Sequence, residues 1–271
     1  MSSVGVLRKM KVAYAVGDPQ VNYTLVLDNE DIPMNRLLGT AIRLSWTNRI
    51  LCLNCGKTTK KSFGQGYCYP CFIKIPETEA CVLRPELCRA HLGEARNMQW
   101  AEQHCLADHY VYLAVSGGLK VGVTRKSQIP IRWIDQGASR AVRIAQLPNR
   151  FLAGSLEVAL KAYFSDKTDW RKMLRGVEPE EIDLAGQRTL SRELFPQNLL
   201  DYFLPSDEIY EINYPVLEYP TILNSVNLEK VGIVEGVLTG IRGQYIMLDK
   251  QRVMNIRTFS GYEIIFEKVD L

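Results

Sequence analysis

Tyr110-Val-Tyr-Leu-Ala-Val115 and Leu119-Lys-Val-Gly-Val-Thr124 flank the turn Ser116-Gly117-Gly118. β-branched and aromatic runs on either side of paired glycines predict a β-hairpin. Pro130 opens a short helix over Ile131 to Gln136, with Gly137 at the stopping position, because proline suits a first helical turn and glycine suits the exit. Ala141 to Leu147 reads as another strand, ended by Pro148-Asn149. From Phe151 to Ser165, Leu152, Leu156, Ala159, Leu160 and Tyr163 recur at helical spacing and predict a helix with these residues toward a core. Asp169 or Thr168 is placed to cap a helix beginning at Trp170.

The ends have a different texture. Residues 231–269 alternate in short runs between glycine-containing turns, predicting four or five antiparallel strands, and Asn22 to Leu27 and Gly39 to Leu44 read similarly. Tyr23, Leu25, Leu27, Met34-Asn35, Gly39 and Ile42 echo Tyr245, Met247, Met254-Asn255, Gly261 and Ile264, the mark of a diverged internal repeat. The two ends are therefore expected to pack together as small β units. Residues 177–215 are acidic, with helical stretches near Leu184 and from Leu190 to Leu204 interrupted at Pro196, and read as a connector. The expected fold class is α+β.

At 271 residues, 46% hydrophobic and 23% charged, the composition is that of a globular protein and excludes collagen, coiled coil and disorder. No apolar run approaches the ~18 residues of a membrane span. The start, MSSVGVLRKMK, has basic residues with no apolar segment behind them, so the expected location is cytoplasmic. The formal net charge of +3 conceals a strong asymmetry. Residues 110–176 carry 12 basic and 4 acidic side chains, whereas residues 177–271 carry 8 and 16. A concentrated basic block points to a polyanionic partner, DNA or RNA.

All seven cysteines and all three histidines fall between residues 52 and 109. Cys52-Leu-Asn-Cys55 and Cys68-Tyr-Pro-Cys71 are separated by a Gly/Lys/Thr-rich stretch of twelve residues, the paired CxxC arrangement of a zinc ribbon. Four thiolates on two tight turns close a tetrahedral shell, and Gly56 supplies a permissive backbone after the first. Cys81, Cys88 and Cys105 remain beside His91, His104 and His109. Three thiolates and one imidazole would close a second zinc site. His109 follows Cys105 by four, which puts both on one face, and is the expected fourth ligand. Lys57, Lys60 and Lys61, at the tip of the ribbon, are candidate phosphate contacts.

The order of hairpin, short helix with Arg132, strand and helix with Glu157 resembles the GIY-YIG nuclease superfamily, in the divergent branch whose second half-motif reads Lys-hydrophobic-Gly followed by a Thr. Tyr110-Val111-Tyr112 matches the first half-motif, Lys120-Val121-Gly122 the second, and Thr124 the following threonine. Tyr110 replaces the first-half glycine and Lys120 the second-half tyrosine. The resemblance implies an antiparallel sheet with helices. Tyr112 would act in proton transfer, Lys120 and Arg132 would contact phosphate, and Glu157 would hold Mg²⁺ or Mn²⁺. One carboxylate with a divalent cation polarises a phosphoryl oxygen, and an arginine pairs with non-bridging oxygens. Arg125, Lys126, Arg150 and Lys161 extend the expected nucleic-acid surface. Arg150, Gly154, Glu157 and Lys161 form a stripe on which the small Gly154 is expected to leave room for a ligand. Trp133 and Trp170 would stack on bases if exposed and otherwise fill a core.

The whole chain is similar to an uncharacterised bacterial zinc-ribbon family that carries such a domain. The layout expected from the sequence is a β unit over 1–50, a zinc-binding region over 51–109, the GIY-YIG-like domain over 110–176, a helical connector over 177–225 and a second β unit over 226–271. The leading expectation is a zinc-binding, nucleic-acid-interacting protein, with endonuclease activity as its enzymatic form. A noncatalytic RNA or ribonucleoprotein adaptor and a zinc-stabilised protein-interaction scaffold are the alternatives.

Overall fold

Five strands open the chain: β1 (Ser2–Val6), β2 (Lys11–Ala13), β3 (Asn22–Leu27), β4 (Glu30–Pro33) and β5 (Ala41–Ile50). The first cysteine turns follow, ending in α1 (Tyr69–Phe72), and then α2 (Ala80–Leu83) and α3 (Met98–His104). The central block is β6 (His109–Val115), β7 (Leu119–Arg125), α4 (Ile131–Asp135), β8 (Arg140–Leu147), α5 (Arg150–Leu160) and α6 (Trp170–Leu174). It is followed by α7 (Leu184–Ser191) and β9 (Tyr210–Glu211). The chain closes with β10 (Asn224–Ser225), α8 (Leu228–Val231), β11 (Ile233–Arg242), β12 (Tyr245–Leu248), β13 (Arg252–Asn255) and β14 (Tyr262–Val269). This computed structural model describes residues 2–15, 17–28, 30–177, 182–205 and 207–269. Of the acidic stretch expected as a connector, residues 178–181 and 206 lie outside the described residues.

The chain forms two compact units, Met1–Ile73 with Asn213–Leu271, and Lys74–Ile212. The expected zinc-binding region is thereby divided, with the CxxC turns in the first unit and Cys81, Cys88 and Cys105 in the second.

In the first unit both chain ends share one sheet, in the order β1-β14-β5-β11-β12-β13-β10. β5 is hydrogen-bonded to β14 on one side and to β11 on the other. β3, β4, a 3₁₀ turn (Met34–Leu37) and β5 are matched by β12, β13, a 3₁₀ turn (Ile256–Phe259) and β14. Gly39 and Gly261 hold the same place in each copy with φ of 78° and 93°, a left-handed backbone that glycine adopts without steric cost. At the same spacing along the chain, Leu44 corresponds to Phe266, and these two are cross-strand partners. A residue paired with its own counterpart marks a local pseudo-twofold between β5 and β14. The register also corrects the sequence echo, since Met34 corresponds to Ile256 and Met254 to Ile32.

In the second unit, β7-β6-β8-β9 form an antiparallel sheet. Alternation along β6 sends Val111, Leu113 and Val115 into a core with Val142, Ile144, Leu156, Leu160 and Leu184. At about 25 cal/mol per Å² of apolar area, this core is the main force holding α5 and α7 to the sheet. The opposite face carries Tyr112, which packs edge-on against Trp133 of α4. Trp133 is fully buried, so it is a core residue; Trp170 is half-buried with Arg171 over its ring at 4.3 Å.

One helix expectation is corrected and another resolved between its alternatives. α5 ends at Leu160 rather than Ser165, and Tyr163, expected in the core, is 64% exposed. The chain turns after Lys161 and brings Ser165 beside Lys120, where the Val121 amide donates to the Ser165 carbonyl at 2.8 Å. Asp169, not Thr168, caps α6 by accepting from the Arg171 and Lys172 amides.

Candidate functional site

Cys52, Cys55, Cys68 and Cys71 converge so that their sulfurs lie within 4.8 Å of one another. Each CxxC is a hydrogen-bonded turn: the Gly56 amide donates to the Cys52 carbonyl at 2.8 Å, and the Cys71 amide to that of Cys68 at 3.1 Å. Gly56 has φ of 71°, as the turn demands. The Asn54 side chain donates to the Cys71 sulfur at 3.3 Å. Burial raises the pKa of Cys52, but backbone amides of Cys68, Cys55 and Asn54 outweigh it and bring the thiol down to about 6. Amides aimed at sulfur favour the thiolate that a metal needs. None of the seven cysteines is in a disulfide, and this four-sulfur shell can hold zinc.

Cys81, Cys88 and Cys105 form a second group by the same 4.8 Å measure, with all three buried. Among the described residues no histidine or carboxylate joins it. His109, expected as the fourth ligand, does not join the 4.8 Å group; it is buried in β6 with Nδ1 at 2.7 Å from the Ala107 carbonyl, and burial brings its pKa down to about 4. His91 stacks on Phe151 at 4.4 Å and His104 on Trp100 at 4.0 Å.

Arg150 is also corrected as a nucleic-acid contact. It is 7% exposed, donates to the Cys81 carbonyl at 3.1 Å and the His104 carbonyl at 3.0 Å, and its amide donates to the Cys105 carbonyl. Gly154 leaves no room for a ligand, because the backbone of Pro85 and Glu86 fills the space beside it. Its smallness instead lets α5 pack closely against the Pro85–Leu87 turn.

The four remaining candidates, Tyr112, Lys120, Arg132 and Glu157, lie within electrostatic reach of one another. The fully buried Tyr112 hydroxyl donates to Gln136 Oε1 at 2.7 Å. Burial raises its pKa, while the Arg132 guanidinium opposes the rise. Lys120 is 3% exposed and donates to Thr168 Oγ1 at 3.2 Å. Burial and then Arg132 lower its pKa to about 8 against the opposing pull of Glu157 and Asp166. Glu157 is 8% exposed; burial raises its pKa, while Lys161 Nζ at 3.3 Å and Arg132 draw it down. Lys161 also meets Asp166 at 3.4 Å. Two cations, a buried carboxylate and a phenol in mutual reach can bind an anion and handle a proton beside it. Gln136, Asp166 and Thr168 were not anticipated. Their signal was position alone: Gln136 ends the Arg132 helix, and the other two lie in the polar loop before Trp170.

The remaining basic candidates fall in both units. Lys57, Lys60 and Lys61 are exposed on the first unit, and Lys61 lies over the Phe63 ring at 5.3 Å. Arg125 is half-buried and Lys126 exposed, 3.9 Å from Asp108. Tyr110 lies apart from the site, beneath the guanidinium of Arg143, which is paired with Asp207. No helix among the described residues is long and apolar enough to cross a membrane.

No curated protein and no solved structure matches the chain. A family model does, over residues 39–264, a span that runs from the strand before the first CxxC turn, through both cysteine groups and the Tyr112 face, to the last strand. The chain belongs to the family described as "Protein of unknown function (DUF2797)".

Proposed function

We propose that the Lys74–Ile212 unit is a GIY-YIG-type domain that binds nucleic-acid phosphate and hydrolyses the phosphodiester with a divalent cation. The carrying observation is that Tyr112, Lys120, Arg132 and Glu157, from two strands and two helices, lie close enough to act on one another electrostatically. The order hairpin, α4, β8, α5 and the antiparallel β7-β6-β8 arrangement support the same reading. In it, Arg132 pairs with non-bridging phosphate oxygens and Lys120 adds a fixed positive charge held by Thr168. Tyr112, oriented by Gln136, moves a proton to or from the attacking oxygen. Glu157 would hold Mg²⁺ or Mn²⁺, which supplies charge neutralisation at the phosphoryl group. The four-cysteine ribbon is read as a structural zinc site with Lys57, Lys60 and Lys61 as backbone-phosphate contacts.

One observation favours a second reading, binding without cleavage: Lys161 already supplies a cation to Glu157. Oligonucleotide binding measured against salt tests the shared part. Arg132→Ala should weaken binding to all sequences alike and reduce the salt slope by about one; an unchanged slope contradicts phosphate recognition at this face. Loss of cutting with retained binding in Glu157→Ala marks the catalytic form, and binding with no cutting by the unaltered protein marks the second reading.

A further inference from the structure

The three buried sulfurs of Cys81, Cys88 and Cys105 line one side of a cavity of about 200 Å³ within the Lys74–Ile212 unit. Leu87, Ala90 and Ala95 make its apolar wall. The two carboxylates that also reach it are engaged elsewhere. Glu94 is paired with Arg89, at 2.5 Å and 2.8 Å, and Glu79 accepts from the Arg96 amide at 3.3 Å. A tetrahedral ion on three thiolates has one position left, and a site with three protein ligands is the form that binds exogenous molecules.

Donor softness and the cavity wall say what that molecule is. A divalent ion with three thiolates carries −1. The Arg150 guanidinium lies 3.9 Å from the Cys81 sulfur, and Arg125 acts electrostatically on Cys105. Those two cations offset the −1 of the centre and the Glu79 carboxylate at the cavity wall, so buried charge is balanced there. Thiolate-rich centres favour soft donors, and the apolar wall favours a carbon-bearing one over a hard oxyanion.

We infer that Cys81, Cys88 and Cys105 form a three-thiolate metal centre whose fourth position faces this cavity and binds a small thiol from solution. The thiol coordinates through sulfur as the thiolate, and its proton leaves to solvent. No protein residue closes the shell.

The test is optical and uses the full chain loaded with Co²⁺. The four-cysteine site is saturated and serves as an internal standard. With two cobalt ions bound per chain, adding 2-mercaptoethanol should raise the near-ultraviolet thiolate-to-cobalt charge-transfer absorption without releasing metal. Cys88→Ser should bind one cobalt and show no rise. Two bound ions with an unchanged spectrum would mean a shell closed by the protein, and overturn the inference. One bound ion in the unaltered protein, or loss of the second on adding thiol, overturns it equally. The unaltered protein alone decides, so the outcome does not depend on the variant folding.

Discussion

The Tyr112 hydroxyl lies where a side chain at residue 122 would stand, since a Cβ on Gly122 would be 2.6 Å from it. The two are cross-strand partners on β6 and β7, so the small residue in Lys120-Val121-Gly122 exists to let the phenol cross the sheet and reach Gln136. Gly122→Ala should cost about 1–3 kcal/mol through overpacking, read as a lower denaturant midpoint with an unchanged m value. Gly118→Ala, where an added Cβ meets nothing within 4 Å, is the control.

Arg150 is expected to behave as a structural residue. Arg150→Ala leaves two buried carbonyls without their donor and should destabilise the chain by on the order of 3 kcal/mol. Where the variant remains folded, the salt slope of oligonucleotide binding should not change. A drop in that slope of about one, without loss of stability, would return Arg150 to the phosphate surface.

The pattern of strands and helices in the central block was legible because each element carries its own signal. The hairpin has Ser116-Gly117-Gly118, α4 has Pro130 and Gly137, and α5 has its helical spacing. The four-cysteine turns were legible for the same local reason. What escaped the sequence was burial and company. Arg150 and Gly154 share a helix face with Glu157, and nothing local says that a turn from residues 85–87 covers part of that face. His109 has the spacing of a ligand, but β6 carries it into the sheet interior. The repeat showed in Gly39 and Gly261, although only strand pairing fixed its register at Leu44 and Phe266.

Metal content follows from the two sulfur groups. Purified protein should carry two zinc ions per chain by elemental analysis. Cys68→Ala should remove one of them while leaving the Lys74–Ile212 unit folded, because its core contains none of the four ribbon sulfurs. One zinc in the unaltered protein would remove the second site.

Lys120 gives a pH dependence with a defined sign. Its burial brings the pKa from 10.5 to about 8, so the phosphate-binding cation is lost as pH rises through 8. Oligonucleotide affinity should fall between pH 7 and 9, and Lys120→Arg should hold it constant over that range. Folding responds oppositely. Between about 8 and 10.5 the unfolded chain binds the proton and the folded chain does not, so this group makes stability rise with pH across that window. Equal pH profiles for the unaltered protein and Lys120→Arg would exclude Lys120 from the site.

The most direct measurement is cleavage of end-labelled single- and double-stranded DNA and RNA by the full chain, with Mg²⁺ or Mn²⁺ and with EDTA, alongside Glu157→Ala. The account predicts cutting of at least one substrate that requires the divalent cation and disappears in Glu157→Ala. An intact panel with no oligonucleotide bound at low salt, or cutting that survives Glu157→Ala, would contradict it.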